Sequence, residues 1–398
     1  MNESSWRYPG WRVVAACFVL AVSSWGFGFY GHGVYLAELR RLHGWPTGLI
    51  SGATTVYYLV GGVLVAYAAD VMARIGPRRL VLLGFCAMAG GAVLVPHVTQ
   101  PWQLYAVYVL MAVGWASGSL GAIVNVVGLW FVARRGMAIS LALNGASASS
   151  VLVVPALVAL SRSHGFAFAV AACCAALAAV FIPLALLWVR RPQRVAPAAG
   201  ATAATATPWS RAQALKSPAF WSASLPFALA IAAQAGFLTH QIPVLEPLLP
   251  GVKAGYAVAI TGACAIIGRV GLSFFIDAWN PRIATAVLLV LQAVALWVVG
   301  HSTAEPHLYA ACALFGLGVG NLITLPSLVV QREFPTAVFG QVASLSTAVA
   351  GLTYAFAPGL LGVLRDLGGN YAVPLLTCIA LEGLAAIIVL IRVPASHA

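Results

Sequence analysis

The sequence predicts an all-helical membrane protein, twelve transmembrane helices arranged as two pseudo-symmetric six-helix bundles. Three observations carry this expectation. Hydrophobic residues make up 62% of the chain and charged ones only 8%, against about 25% charged in a soluble domain, and the mean hydropathy is +0.95. Twelve apolar stretches follow one another, each long enough to cross a hydrocarbon core of about 30 Å. The second half of the chain also repeats landmarks of the first.

The apolar stretches lie near residues 11–38, 47–69, 79–97, 102–131, 137–160, 166–189, 219–248, 255–276, 283–300, 307–330, 339–364 and 371–391. The prolines inside them (Pro155, Pro243, Pro326, Pro358) are tolerated in membrane helices and mark kinks. The first stretch has the basic start and apolar run of a signal peptide. It is long, however, lacks a small-residue cleavage site and precedes many further spans, so it is expected to stay as the first helix.

An even number of spans puts both termini on one side. Assigned to that side are Arg7, Arg12, Arg74, Arg78, Arg79, Arg134, Arg135, Arg190, Arg191, Arg194, Arg211, Lys216, Arg282, Arg332 and Arg392; the other side holds Arg40, Arg41, Arg162, Lys253 and Arg365. Short loops rich in Lys and Arg stay in the cytoplasm, so both termini are expected there, in a bacterial inner membrane. The same distribution excludes nucleic acid as a partner despite the net charge of +12, because the basic residues are not gathered on one face or helix. The seven cysteines fall inside apolar spans without metal-ligand spacing and read as small hydrophobes. No metal or cofactor is expected, and the chain is expected to act as a monomer.

Residues 190–217 form the one long connection. Their core, APAAGATAATATP at 196–208, is a low-complexity run without apolar periodicity and reads as a flexible linker. It separates an N-terminal bundle, 1–189, from a C-terminal bundle, 218–398. Landmarks recur across it at offsets of 203 to 207 residues. Asp70 answers to Asp277, Arg79 to Arg282, Leu104-Tyr105 to Leu308-Tyr309, Ser140-Leu141 to Ser344-Leu345, and Pro155 to Pro358. Parallel repeated halves are a transporter architecture.

The residue that stands out is Arg269. The apolar run 260–276 reads as a membrane helix with this arginine near its centre, roughly 10–14 Å from its two ends at helical rise. A charge there costs about 2.5–3.5 kcal/mol on the lenient insertion scale, which makes an intramembrane arginine a functional-site candidate. The blander alternative is a structural arginine paired with a carboxylate or with backbone carbonyls. Tyr30, Tyr35, Asn125, Asn144, His240 and Asn321 are further polar groups inside spans, candidates to line a substrate site or to make interhelical contacts. Glu382, midway along the last span, is costly where it stands and implies protonation or an interhelical partner. The glycines of span 4 (Gly114, Gly118, Gly121) and span 10 (Gly316, Gly318, Gly320) suit close helix contacts.

Between spans 2 and 3 the chain reads RIGPRR over 74–79, with Asp70 one turn earlier; the second half keeps Asp277 and Arg282. Together with the repeated halves, this resembles the major facilitator superfamily over essentially the whole chain. The resemblance implies alternating access and a cytoplasmic gating motif built on Asp70, Arg74, Arg78, Arg79, Asp277 and Arg282. The family form places its aspartate directly before the first arginine, so the displaced Asp70 implies a weakened or rebuilt latch.

Within the superfamily the chain resembles the oxalate:formate antiporter and monocarboxylate transporter branch. The residues that carry this are GHGVY at 31–35, GW at 44–45, Trp130-Phe131, RRGMA at 134–138, Phe220-Trp221, HQIP at 240–243 and IGR at 267–269. The resemblance implies that Arg269 binds a substrate carboxylate, a task that suits the planar fork of a guanidinium. Two departures narrow it. The oxalate exchanger's lysine in span 11 has no counterpart at membrane depth, which favours a monoanion over a dianion. The aspartate that animal monocarboxylate transporters carry one turn before the arginine is here Ala265. Glu246 resembles in placement the carboxylate of bacterial monocarboxylate carriers and is the candidate for proton coupling. The expected function is secondary transport of a lactate-like monocarboxylate by proton symport. Carboxylate exchange and drug or metabolite export on the same fold are the alternatives. No GxxxxGK phosphate loop supports ATP-driven transport.

Overall fold

In the computed structural model, residues 3, 5, 7–190, 211–275 and 279–393 are described; most of the linker and Asp277 lie outside them. The described residues form helices and no strands. In chain order the membrane helices are α1 (Gly10–His43), α2 (Thr47–Val65), α3 (Pro77–His97), α4 (Pro101–Gly128), α5 (Arg135–His164) and α6 (Phe166–Trp188). They continue with α7 (Pro218–Leu245), α8 (Lys253–Ser273) and α9 (Pro281–His301). α10 is broken into Glu305–Val319 and Leu325–Glu333, and α11 (Thr336–Gly368) and α12 (Ala372–Leu390) close the chain. Short helices Ala68–Ile75 and Arg211–Lys216 lie outside the spans.

Eleven of these helices are long and apolar enough to cross a membrane. The expected tenth span differs: it parts at Gly320, passes through a 3-10 turn at Asn321–Ile323 and resumes at Leu325. The sequence there accounts for the break. Gly316, Gly318 and Gly320 weaken the helix, and Pro326 supplies no N–H to continue the earlier ladder. α1 carries its own irregularity, a π-helical turn at Gly26–Tyr30.

The two basic loops start helices in the same way. Gly76, at φ +86°, is followed by Pro77 at the first position of α3. Asn280 accepts a bond from the Arg282 N–H and is followed by Pro281 at the first position of α9. Proline is pre-organised for that place and has no N–H to leave unpaired.

The chain folds into two compact units. One comprises Met1–Trp45, Ala53–Thr202 and Pro250–Ala259; the other comprises Pro46–Gly52, Ala203–Leu249 and Ile260–Ala398. In the first unit α1 packs on α5, and α3 on α4. In the second, α7 packs on α11 and α12, and α9 on α12 and α10. Also within the second unit, Asp366 accepts the N–H groups of Thr47 (3.1 Å) and Gly48 (2.6 Å), satisfying two donors at a helix start.

Candidate substrate-binding site

α8 begins at Lys253 and ends at Ser273, so Arg269 stands four residues before its last residue. This corrects the expectation of a central arginine. The guanidinium lies about 6 Å of helical rise from one helix end, where a long side chain reaches polar surroundings more easily. Arg269 is half-buried, and its Nε donates to the Gly320 carbonyl oxygen at 3.2 Å.

That contact depends on how closely α8 and α10 approach. A Cβ on Gly268 would collide with the Leu317 backbone, one on Gly316 with the Thr261 carbonyl, and one on Gly320 with the Ala265 carbonyl. Three glycines on the two helices thus let backbone meet backbone. The break in α10 falls at the end of this seam and presents the Gly320 carbonyl to Arg269. The remaining span-10 glycine, Gly318, would meet Gln292. Asn321, buried at the break, donates from Nδ2 to the Leu317 carbonyl at 2.9 Å.

Other expected lining groups of the second unit are engaged within it. His240 is buried; Nε2 lies 3.0 Å from the Pro358 carbonyl and Nδ1 lies 3.3 Å from the Tyr371 hydroxyl. A carbonyl only accepts, so Nε2 carries a proton and donates to Pro358, while Nδ1 shares a hydrogen bond with the Tyr371 hydroxyl. Glu246 is half-buried at the C-terminal end of α7.

The remaining candidates belong to the first unit. Tyr30 is buried at the end of the π-helical turn. Tyr35 is fully buried, packed against His32 and Phe166, with its hydroxyl unpaired among the described residues. Asn125 and Asn144 are half-buried on α4 and α5.

At the basic loops the two repeats differ. Asp70, Arg74 and Arg79 are exposed, and no ion pair reaches Asp70 among the described residues. Arg78 donates from Nε to the Val189 carbonyl at 3.0 Å. Arg282, by contrast, is 3% exposed and faces Glu333 fork to fork, Nη2 to Oε2 at 2.6 Å. It also bonds Ser222 and the carbonyls of Val389 and Ile391.

Sequence reasoning missed Glu333, and it missed three buried amides. Gln241 donates to Thr261 Oγ1 at 2.9 Å. Gln234 donates to Gln292 Oε1 at 3.1 Å, and Gln292 donates to the Phe315 carbonyl at 3.0 Å. The available signal was a glutamine inside an apolar span, which demands a partner on a neighbouring helix.

The description Major Facilitator Superfamily matches residues 16–358. The chain belongs to that superfamily. It is a multi-pass membrane transporter of the major facilitator fold. Over 405 residues, covering 96% of this chain and 94% of the relative, it is 21% identical to the "Uncharacterized MFS-type transporter YcxA" of Bacillus subtilis. It is 22% identical over 376 residues to the "MFS transporter asaE" of Aspergillus flavus, covering 91% and 81%. Among solved structures it resembles a bacterial homologue of the human lysosomal transporter Spinster, in an inward-facing and occupied conformation. The TM-score is 0.73, with 15% identity and 97% of each chain covered.

Proposed function

We propose that this transporter moves a small organic monocarboxylate, lactate-like in size, by alternating access with proton symport across a bacterial inner membrane, with both termini in the cytoplasm. The observation that supports it is Arg269, half-buried in a membrane helix and oriented through Nε by the carbonyl at the α10 break. A carboxylate matches the fork of donors that a guanidinium carries. The Gly320 bond is also one that a structural arginine makes, so the test must separate the two roles. In this reading Glu246 exchanges the coupled proton, while Tyr30, Tyr35, Asn125, Asn144, His240 and Asn321 are polar groups available to the substrate or to its framework.

The experiment is uptake of a panel of labelled carboxylates into proteoliposomes, with and without a pH gradient. Short monocarboxylates are expected to accumulate when the side they enter from is acidic. Arg269→Ala is expected to insert normally and lose that uptake. Uptake of no monocarboxylate, or near-wild-type uptake by Arg269→Ala, overturns the reading. Uptake indifferent to the pH gradient but driven by internal carboxylate assigns exchange instead. Cysteines placed in residues 190–217 are expected to label from the cytoplasmic side alone.

A further inference from the structure

Glu382 stands near the middle of the 19-residue α12. It is 0% exposed, and neither carboxyl oxygen has a hydrogen-bond partner among the described residues. Ala385 and Ala386, on the next turn, pack into an apolar core with Phe227 and Ala230 of α7 and Leu289 of α9. Gln234 of this unit finds Gln292 across helices and Arg282 finds Glu333; the other buried oxygens left without a partner among the described residues, Thr47 Oγ1, Ser224 Oγ and Gln241 Oε1, are neutral groups. A carboxylate left without such a partner is destabilised far more than the neutral acid, so the site is built for a carboxyl that carries a proton.

The surroundings narrow what else this group binds. α12 packs on α9 and α7, and less on α11. On α12 itself Cys378 lies one turn away and donates towards the Ala233 carbonyl, while Tyr371 sits at the helix start and is held by His240 of α7. On α9, Arg282 is engaged by Glu333 and by carbonyls at the far end of α12. On α11, Arg365 pairs with Asp366, and Tyr354 is the remaining titratable group. No group of three or more His, Cys, Asp or Glu side chains suited to a metal ion occurs among the described residues. A hard cation needs several oxygen ligands; a proton needs one.

We propose that Glu382 is a reversible proton-binding site, which takes up a proton on one side of the membrane and releases it on the other during the transport cycle. The step is Glu–COO⁻ plus H⁺ giving Glu–COOH. One proton carried with one monoanion makes the cycle electroneutral. This deepens the proton-symport reading and rests on it, with Glu246 as the outlying exchange group and Glu382 as the group that holds the proton inside the membrane.

A lipid-soluble carbodiimide tests it, because such reagents attack protonated carboxyls and leave a stable N-acylurea that mass spectrometry locates. In wild-type protein the adduct is expected at Glu382 at pH 6 and to fall severalfold by pH 9. In proteoliposomes, Glu382→Gln is expected to retain lactate exchange and to lose pH-driven accumulation at least tenfold. Labelling unchanged between pH 5 and 9, or absent throughout, overturns the proposal by making Glu382 a fixed packing group. So does a Glu382→Gln variant that accumulates lactate as the wild type does. A wild-type protein that moves no lactate overturns the substrate reading instead, and the pH-dependence of labelling still decides Glu382. A Glu382→Gln protein that fails to insert leaves that same wild-type measurement to decide.

Discussion

Arg282 of α9 and Glu333 at the end of α10 meet fork to fork, Nη2 to Oε2 at 2.6 Å, with the arginine side chain 4% exposed and the glutamate 11%. The pair ties the start of α9 to the end of α10, and the remaining guanidinium donors reach Ser222 of α7 and the carbonyls that end α12. One arginine thereby holds four helix ends. Removing one partner of such a buried pair leaves a charge without compensation, at a cost of about 3–5 kcal/mol. Glu333→Ala and Arg282→Ala are each expected to lower the thermal unfolding temperature of the detergent-solubilised protein by many degrees. The Arg79→Ala change in the exposed counterpart loop should leave it nearly unmoved. Equal effects at the two loops would contradict the asymmetry.

The seam between α8 and α10 makes a second forecast. Replacing Gly320 by alanine drives a methyl into the Ala265 carbonyl and towards Arg269 Nε, which a Cβ would approach at 3.2 Å. Overpacking of this kind costs about 1–3 kcal/mol. Gly320→Ala is therefore expected to reduce both stability and transport, whereas Gly271→Ala, where a Cβ meets nothing, should do neither. Uptake and thermal unfolding measured on the two variants side by side check this.

Much of the fold was legible because composition and length suffice for membrane helices: the boundaries of α3, α6 and α9 lie close to the expected ones. The repeated basic loops were legible as landmarks, and the structure adds that each leads into a helix started by a proline, Pro77 and Pro281. Periodicity was no help in choosing faces, since a span apolar on all sides carries no stripe. That is why the packing of Glu382 was not readable; Pro326 marked the irregularity of α10 but not its position at Gly320, and the depth of Arg269 turned on where α8 ends, which an apolar run continuing past Ser273 conceals. The Arg282–Glu333 pair spans 51 residues, and a single sequence holds no record of which acid meets which base.

The N-terminal segment offers a prediction in pH. Glu3 accepts the N–H groups of Val132 (3.0 Å) and Arg134 (2.9 Å), and Tyr8 donates to the Trp130 carbonyl. Burial raises the Glu3 carboxyl, but these backbone bonds and one from Ala133, with the charge of Arg134, outweigh it and hold the group below its ordinary 4.5. A carboxyl lowered by folding stabilises the contact above its unfolded value and loses that contribution as pH falls through the folded one. Amide exchange at Val132 and Arg134 is thus expected to be slowed at neutral pH and to lose that protection below about 4.5. Glu3→Ala should lack the protection at every pH. Protection that persists in Glu3→Ala would show that the aromatic contacts of Tyr8 and Trp11 with Phe131 suffice.

The last prediction concerns charge at Arg269. α11 supplies Arg365 near its end and no other cation, so a substrate dianion at Arg269 meets no second base from that helix. A second negative charge left without a partner beside this half-buried arginine is penalised, and each 1.4 kcal/mol is a factor of ten in affinity. Lactate and similar monoanions are accordingly expected to compete for uptake at least tenfold better than oxalate or malonate. Arg269→Lys keeps the charge but gives up the planar pair of donors, so it should lose most uptake while inserting normally. The two results together discriminate. If oxalate outcompetes every monoanion, a second cation reaches the substrate. If Arg269→Lys transports at the wild-type rate, charge alone suffices and the fork plays no part.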